Sequence, residues 1–265
     1  MHLKRWLTGI IAVPILIYII GPGPQWLFFV LIFSAAIIGL MEFFEITSPD
    51  LPRFIRLSLY LLTFLLFAAI FVRQILLVPA IVVFWAFVPM IYYMLTRASH
   101  DQKCTESIGN AVLGPVYVVL PLVMLVLIDL RLNGSKWVFF LLLIVFSSDT
   151  SAFYVGKYFG RHKLHKAVSP NKTWEGAVGG LVGSVFASLI FLRIMPSPLM
   201  GLNIIILVLV LAVAGQIGDL AESMLKRNCG IKDSGKILPG HGGLLDRIDG
   251  LLFSIPVLYI YLSCQ

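Results

Sequence analysis

Charge is scarce in this 265-residue chain: only 12% of its residues are Asp, Glu, Lys or Arg, while 59% are apolar. A globular domain averages roughly a quarter charged residues, so a water-soluble fold is excluded and a chain that lives in lipid is implied. Cysteine is equally sparse. Cys104, Cys229 and Cys264 are the only three, with no C-x-x-C spacing, so neither a disulfide framework nor a zinc site is supported. No repeat of 20 to 50 residues and no low-complexity segment is visible, and connections such as "GPGPQ" and "MPSP" are too short to be separate domains.

Long apolar runs are what the sequence has in abundance. A helix needs about 20 residues to cross the hydrocarbon, and nine runs suit: 6–20, 26–42, 57–72, 75–95, 109–129, 137–157, 176–195, 199–218 and 248–263. The first follows Lys4 and Arg5 as a signal peptide would, but "IIGPGPQW" offers no small-residue cleavage site, so a retained helix is expected. The reading is an all-α polytopic membrane protein with about nine transmembrane helices. Residues 1–135 hold about five spans. Residues 136–265 hold about four spans and two charged loops, and are expected to be the catalytic region because the charged residues concentrate there.

The net charge of +7 could suggest nucleic acid, but its distribution does not. With the N-terminus in the cytoplasm, 16 of the 20 basic residues fall on the cytoplasmic side; Arg73, Arg131, Lys136 and Arg193 are the other four. That is a strong positive-inside bias, so topology explains the charge and no nucleic acid is required. Ten of the sixteen crowd into two loops, however, which topology alone does not demand.

The acidic residues are more informative, because five of the thirteen lie between 219 and 249. In "GQIGDLAESMLKR", Asp219, Glu222, Ser223 and Lys226 fall at i, i+3, i+4 and i+7, one face of a helix. Asp246 and Asp249 open the next helix. An acid at a helix N-terminus complements the dipole, which is a sufficient structural reason for Asp249. Asp219 is at the C-terminal end of an apolar span, where the dipole disfavours an anion and insertion costs roughly 2.5–3.5 kcal/mol. A ligand role is the stronger reading there. Oxygen-only clusters suit hard cations, above all Mg²⁺ shared with substrate phosphates, so Asp219, Asp246, Glu222 and Asp249 are the candidate metal ligands, with room for two cation sites. Around them "KDSGKILPGHGG" supplies Lys232, Lys236, His241, Gly242 and Gly243, with Lys226, Arg227 and Arg247 on either side. Cations and glycine backbone N–H groups are what an anion needs, and the combination points to metal-assisted phosphoryl chemistry.

The second basic loop, "GKYFGRHKLHKAVSPNKTWEGAVGG", lies on the same side. Ser169, Asn171, Lys172 and Thr173 immediately precede a helix, as an anion site requires; a cap from Thr173 or Asn171 is the competing structural reading. His162 and His165 read as part of a solvated basic loop. Asp149, deep in the run that starts at Trp137, reads as a paired or functional acid, or as a buried hydrogen-bonding one.

The stretch "SMLKRNCGIKDSGKILPGHGGLLDRID", residues 223–249, closely resembles the signature of the phosphatidate cytidylyltransferases, and "SPNKTWEG" resembles their second motif. The close likeness covers roughly 149–255; the first 130 residues share only hydropathy. The resemblance implies transfer of CMP from CTP to phosphatidate, giving CDP-diacylglycerol and pyrophosphate at the cytoplasmic face of the inner membrane. It implies CTP, phosphatidate and the lipid bilayer as partners, and admits a homodimer. On that reading Asp219, Asp246, Lys226, Arg227 and His241 serve the reaction. Asp149, the Ser169–Thr173 group, Ser223, Lys232, Lys236, Gly242, Gly243 and Arg247 bind substrate. Two alternatives stay open: a CTP-dependent polyprenol or phytol kinase, which moves the γ-phosphoryl group instead, and a membrane transporter, whose acids would sit near the midplane within an inverted repeat.

Overall fold

The computed structural model describes residues 13–96, 102–194, 202–235 and 242–265. The chain is an all-α, multi-pass membrane protein: among the described residues, seven helices are long and apolar enough to cross a bilayer. The helices are α1 (Gln25–Thr47), α2 (Arg53–Phe71), α3 (Val78–Thr96), α4 (Gln102–Gly114), α5 (Leu120–Asp129), α6 (Gly134–Phe159), α7 (Trp174–Ile194), α8 (Leu202–Asn228) and α9 (Leu245–Ser263). A π-helical turn, Pro115–Val119, joins α4 to α5; proline has no N–H to continue the regular ladder. Residues 13–20 are helical and belong to the first expected span, whose earlier part lies outside the described residues. The ninth expected span is the helix α9, set apart from the seven by Asp246, Arg247 and Asp249 in its first two turns.

The chain divides into two compact units, one of Met1–Phe28 with Met124–Gln265 and the other of Phe29–Val123. Aromatic packing and a few polar ties hold the second unit. Phe67 packs edge-on against Phe29 and Phe33, and Asn110 donates to Thr47 O at 3.1 Å and to Ser48 Oγ at 2.9 Å.

The first unit is built on close helix contacts. Lipid tails are as apolar as leucine, so helices in a bilayer associate through tight packing, and small residues at the interface permit it. Along α7 the glycines of "WEGAVGGLVG" meet α6. A methyl group at Gly176 would lie 2.8 Å from the Ala152 carbonyl, and one at Gly179 would lie 2.6 Å from Val155 Cβ. A second seam joins α8 to α9, where a methyl at Gly218 would lie 2.5 Å from Asp249 O and 3.2 Å from Gly250 Cα. Gly218 is the neighbour of Asp219, so this seam brings two acidic residues of different helices together. Large apolar side chains such as Val178, Phe186 and Ile190 of α7 point outward, where lipid takes the place of a protein partner.

One feature of the fold was not expected: a small antiparallel hairpin of β1 (Lys163–His165) and β2 (Ser169–Thr173), pairing Lys163 with Thr173 and His165 with Ser169. Thr173 ends β2 and begins α7, its Oγ1 accepting the Gly176 N–H at 3.1 Å. The hairpin base is clamped to α7 as well. Trp174 N donates to His162 O at 2.9 Å, and His162 Nδ1 meets Glu175 Oε1 at 2.6 Å.

Candidate active site

Two lysine–carboxylate assemblies define the site, one joining a strand to a helix and the other joining two helices. Lys172, on β2, reaches across to α8 and places Nζ 2.6 Å from Asp219 Oδ2. Lys226, two turns further along α8, lies between Glu222 Oε2 and Asp246 Oδ1, 2.6 Å from each. The helical spacing expected from "GDLAESMLK" therefore holds, and Ser223 Oγ also donates to Asp219 Oδ1, at 3.4 Å.

The environments of the two assemblies differ. Glu222 is 1% exposed and Asp246 13%, whereas Asp219 is 34% exposed. Asp246 is also the anchor of the preceding loop: Ser234 N donates to Oδ1 at 3.2 Å and Oδ2 at 3.0 Å, and Gly243 N to Oδ2 at 3.0 Å. Gly242 makes that turn in the left-handed region, at φ +83°, which glycine adopts without a steric cost. Asp246 precedes the apolar run of α9. Burial by itself would push its carboxyl up, but the Lys226 ammonium and the Ser234 and Gly243 N–H groups outweigh burial and hold it at about 2, so it is a carboxylate at any physiological pH.

Asp149 of α6 and Asp249 of α9 complete the cluster. Asp149 feels the Asp219 charge and the Lys172 charge, and Asp249 feels both Asp219 and Asp149; its Oδ1 accepts the Gly250 N–H at 2.8 Å. Three helices and a strand thus converge their charges in one place. Among the described residues, no three acidic, His or Cys side chains meet at metal-ligand distance in this arrangement.

Beside the cluster opens a cleft of about 540 Å³, lined by Asp149, Asn171, Lys172, Thr173 and Asp219 among others. Its wall also carries Lys157, Lys163 and Gln216, which sequence reasoning passed over. In the sequence the lysines are accounted for by the topology bias, and Gln216 stands alone in an apolar run, where only its i, i+3 relation to Asp219 marks it. Thr173 caps α7 as well as lining the cleft, so the capping reading of this residue holds. Ser169 pairs with His165 near the turn of the hairpin and does not line the cleft. Arg227 is exposed and closes the end of α8 by donating to Ile231 O at 3.1 Å. Lys232 and Arg247 are exposed. Lys236 and His241 lie outside the described residues.

The sequence profile of the cytidylyltransferase family matches residues 3–265. The chain belongs to that family. It is 33% identical over 269 residues to the phosphatidate cytidylyltransferase of Bacillus subtilis (strain 168), an alignment spanning 98% of this chain and 97% of that protein. It is 40% identical over 159 residues to the phosphatidate cytidylyltransferase of Staphylococcus saprophyticus, covering 60% of this chain and 58% of that one. With the enzyme of the same name from Brucella abortus biovar 1 it shares 44% over 128 residues, 48% of this chain and 47% of the other. Membership of the cytidylyltransferase family gives the lysine–carboxylate assemblies their context: this is a membrane-embedded transferase, and the expected resemblance is borne out.

Proposed function

We propose that this cytidylyltransferase moves CMP from CTP to phosphatidate, releasing pyrophosphate and forming CDP-diacylglycerol. The observation that carries the reading is the composition of the cluster, in which five carboxylates (Asp149, Asp219, Glu222, Asp246, Asp249) interact with two ammonium groups, Lys172 and Lys226. Such a site repels a triphosphate and a phosphomonoester unless cations accompany them. An all-oxygen donor set fits Mg²⁺, so the residues present suit the ion the chemistry calls for. Asp246 already spends both oxygens on Lys226 and two backbone N–H groups, and Glu222 gives one of its own to Lys226. Asp219, Asp249 and Asp149, whose charges meet beside the cleft, are the ones that would hold a cation, in one site or two. When bound, Mg²⁺ neutralises phosphate charge and favours departure of pyrophosphate.

The rest of the chemistry falls to the protein. A phosphatidate oxygen attacks the CTP α-phosphorus. With a second phosphate pKa of about 6, that oxygen is largely ionised at neutral pH, and no general base is needed. Lys172 can exchange its Asp219 partner for a phosphate oxygen, with Asn171, Lys157 and Lys163 along the same cleft. Lys226 keeps α8 and α9 in register by bridging their carboxylates. A cleft at helix ends suits one substrate from water and one from lipid, and the 16 to 4 distribution of basic residues supports a cytoplasmic N-terminus and a cytoplasmic-facing site in the inner membrane. The test uses purified protein, phosphatidate, Mg²⁺ and CTP labelled separately at the α- and γ-phosphates. The α-label and cytidine should enter the lipid and the γ-label should leave as pyrophosphate. Transfer of the γ-label to lipid would make the protein a lipid kinase and overturn the proposal.

A further inference from the structure

We propose that Gln216 is a positioning residue that fixes the spacing of Asp149 and Asp219 by tying α6, α7 and α8 together beside the cleft. This rests on the CMP-transfer reading above. Gln216 Nε2 donates to Ser148 Oγ of α6 at 3.2 Å and to Ala177 O of α7 at 3.0 Å. The amide thus bonds to two helices from a third. Ser148 is the residue before Asp149, and Asp219 is one turn beyond Gln216 on α8, so the tie acts next to both carboxylates. Ala177, in turn, lies in the first turn of α7, just after the Thr173 cap and Lys172.

The packing around the amide supports the assignment independently. Gly180 of α7 leaves the space that the amide fills: a methyl there would lie 2.7 Å from Gln216 Nε2, 2.9 Å from Ser148 O and 2.9 Å from Ser148 Oγ. Ser148 is only 2% exposed, so its hydroxyl has no ready replacement by water, and a buried polar group left without a partner is costly. A Met side chain has nearly the same length and volume but no donor. Met at 216 should therefore fill the space without holding the helices in register.

Two variants, Gln216→Met and Gly180→Ala, reach the tie from opposite sides, one by removing the donor and one by displacing it. Each should lower kcat for CMP transfer by roughly 10- to 100-fold, the scale expected when reacting groups shift by about 1 Å. KM for both substrates should stay within about twofold, because the Gln216 amide nitrogen is engaged with Ser148 and Ala177. The double variant should be no slower than the worse single one, since both break the same tie. Ser188→Ala is the control, removing an equally buried hydroxyl that bonds only within its own helix, to Val185 O at 2.7 Å; it should leave kcat unchanged. A substrate-free readout uses spin labels at Tyr158 on α6 and Asn228 on α8, whose distance distribution should be narrow in the parent and broadened in both variants. Unchanged kcat with an unchanged distance distribution overturns the proposal, as does a kcat loss that multiplies in the double variant or is matched by Ser188→Ala. If the parent protein transfers no CMP, the proposed function fails, and the distance measurement alone then decides whether the tie exists.

Discussion

Replacing Asp246 by Asn should damage the fold, and replacing Asp219 by Asn should not. Both changes remove one negative charge and preserve size, so sequence alone treats them alike. The structure separates them. Asp246 uses both oxygens: Oδ1 faces Lys226 Nζ at 2.6 Å, and Ser234 N and Gly243 N donate to the pair at 3.0–3.2 Å. An Asn has a single acceptor oxygen. Whichever way the amide turns, its NH₂ faces donors, and the Lys226 ammonium loses one of its two carboxylates. Removing one partner of a buried ion pair costs about 3–5 kcal/mol, and with Lys226 at 11% and Asp246 at 13% exposure solvent does little to soften that figure. The Lys172–Asp219 pair is 26% and 34% exposed, where ion pairs contribute about 0–1 kcal/mol. At roughly 2–4 °C per kcal/mol for a chain of this size, the melting temperatures of the two variants should differ by on the order of 10 °C. Thermal unfolding followed by tryptophan fluorescence in detergent, without nucleotide or metal, measures this directly. Activity should be low in both. Melting temperatures within 2 °C or so of each other would refute the view that Asp246 is the structural anchor of the loop before α9.

Two further outcomes are expected. Lys172→Ala should raise KM for CTP well above its effect on KM for phosphatidate, because it removes a cation from the cleft wall; steady-state kinetics with each substrate varied decides, and equal effects would leave Lys172 only its pairing role with Asp219. Cys229, exposed at the end of α8, should react with an impermeant maleimide only from the cytoplasmic side, and Cys264, also exposed, only from the outer side. Labelling of Cys229 in intact cells would reverse the orientation.

The helices were legible in the sequence because lipid imposes a long, nearly uncharged run on each of them, and α1 to α3 begin and end within a few residues of those runs. The acids of α8 were legible for the complementary reason. A carboxylate at Asp219 or Glu222 is conspicuous in such company, and the 3.6-residue period places it on one face with Lys226. Partners were harder to read. Nothing in "SPNKT" says that Lys172 will meet Asp219, because that contact depends on a hairpin whose strands of three and five residues are too short to show a two-residue period. Nor does the sequence distinguish Asp246, saturated by loop N–H groups, from Asp249, since the difference lies in how residues 234 and 243 fold back. Gln216 escaped because a single amide in an apolar span has no pattern of its own; its meaning comes from Ser148 and Ala177, which are distant in the chain.

The glycine seam between α6 and α7 has a consequence for how this sequence can change over time. Every replacement of a glycine adds atoms, and Gly179 already faces Val155 while Gly183 faces Ser151 with no room for a methyl. Drift at these positions is therefore closed in one direction unless the facing residue shrinks first. An alanine at 179 becomes tolerable only after position 155 has lost its branches, and one at 183 only after 151 has given up its hydroxymethyl group. Change along this seam has to proceed through ordered pairs of exchanges, α7 waiting on α6, even though none of the four residues lines the cleft.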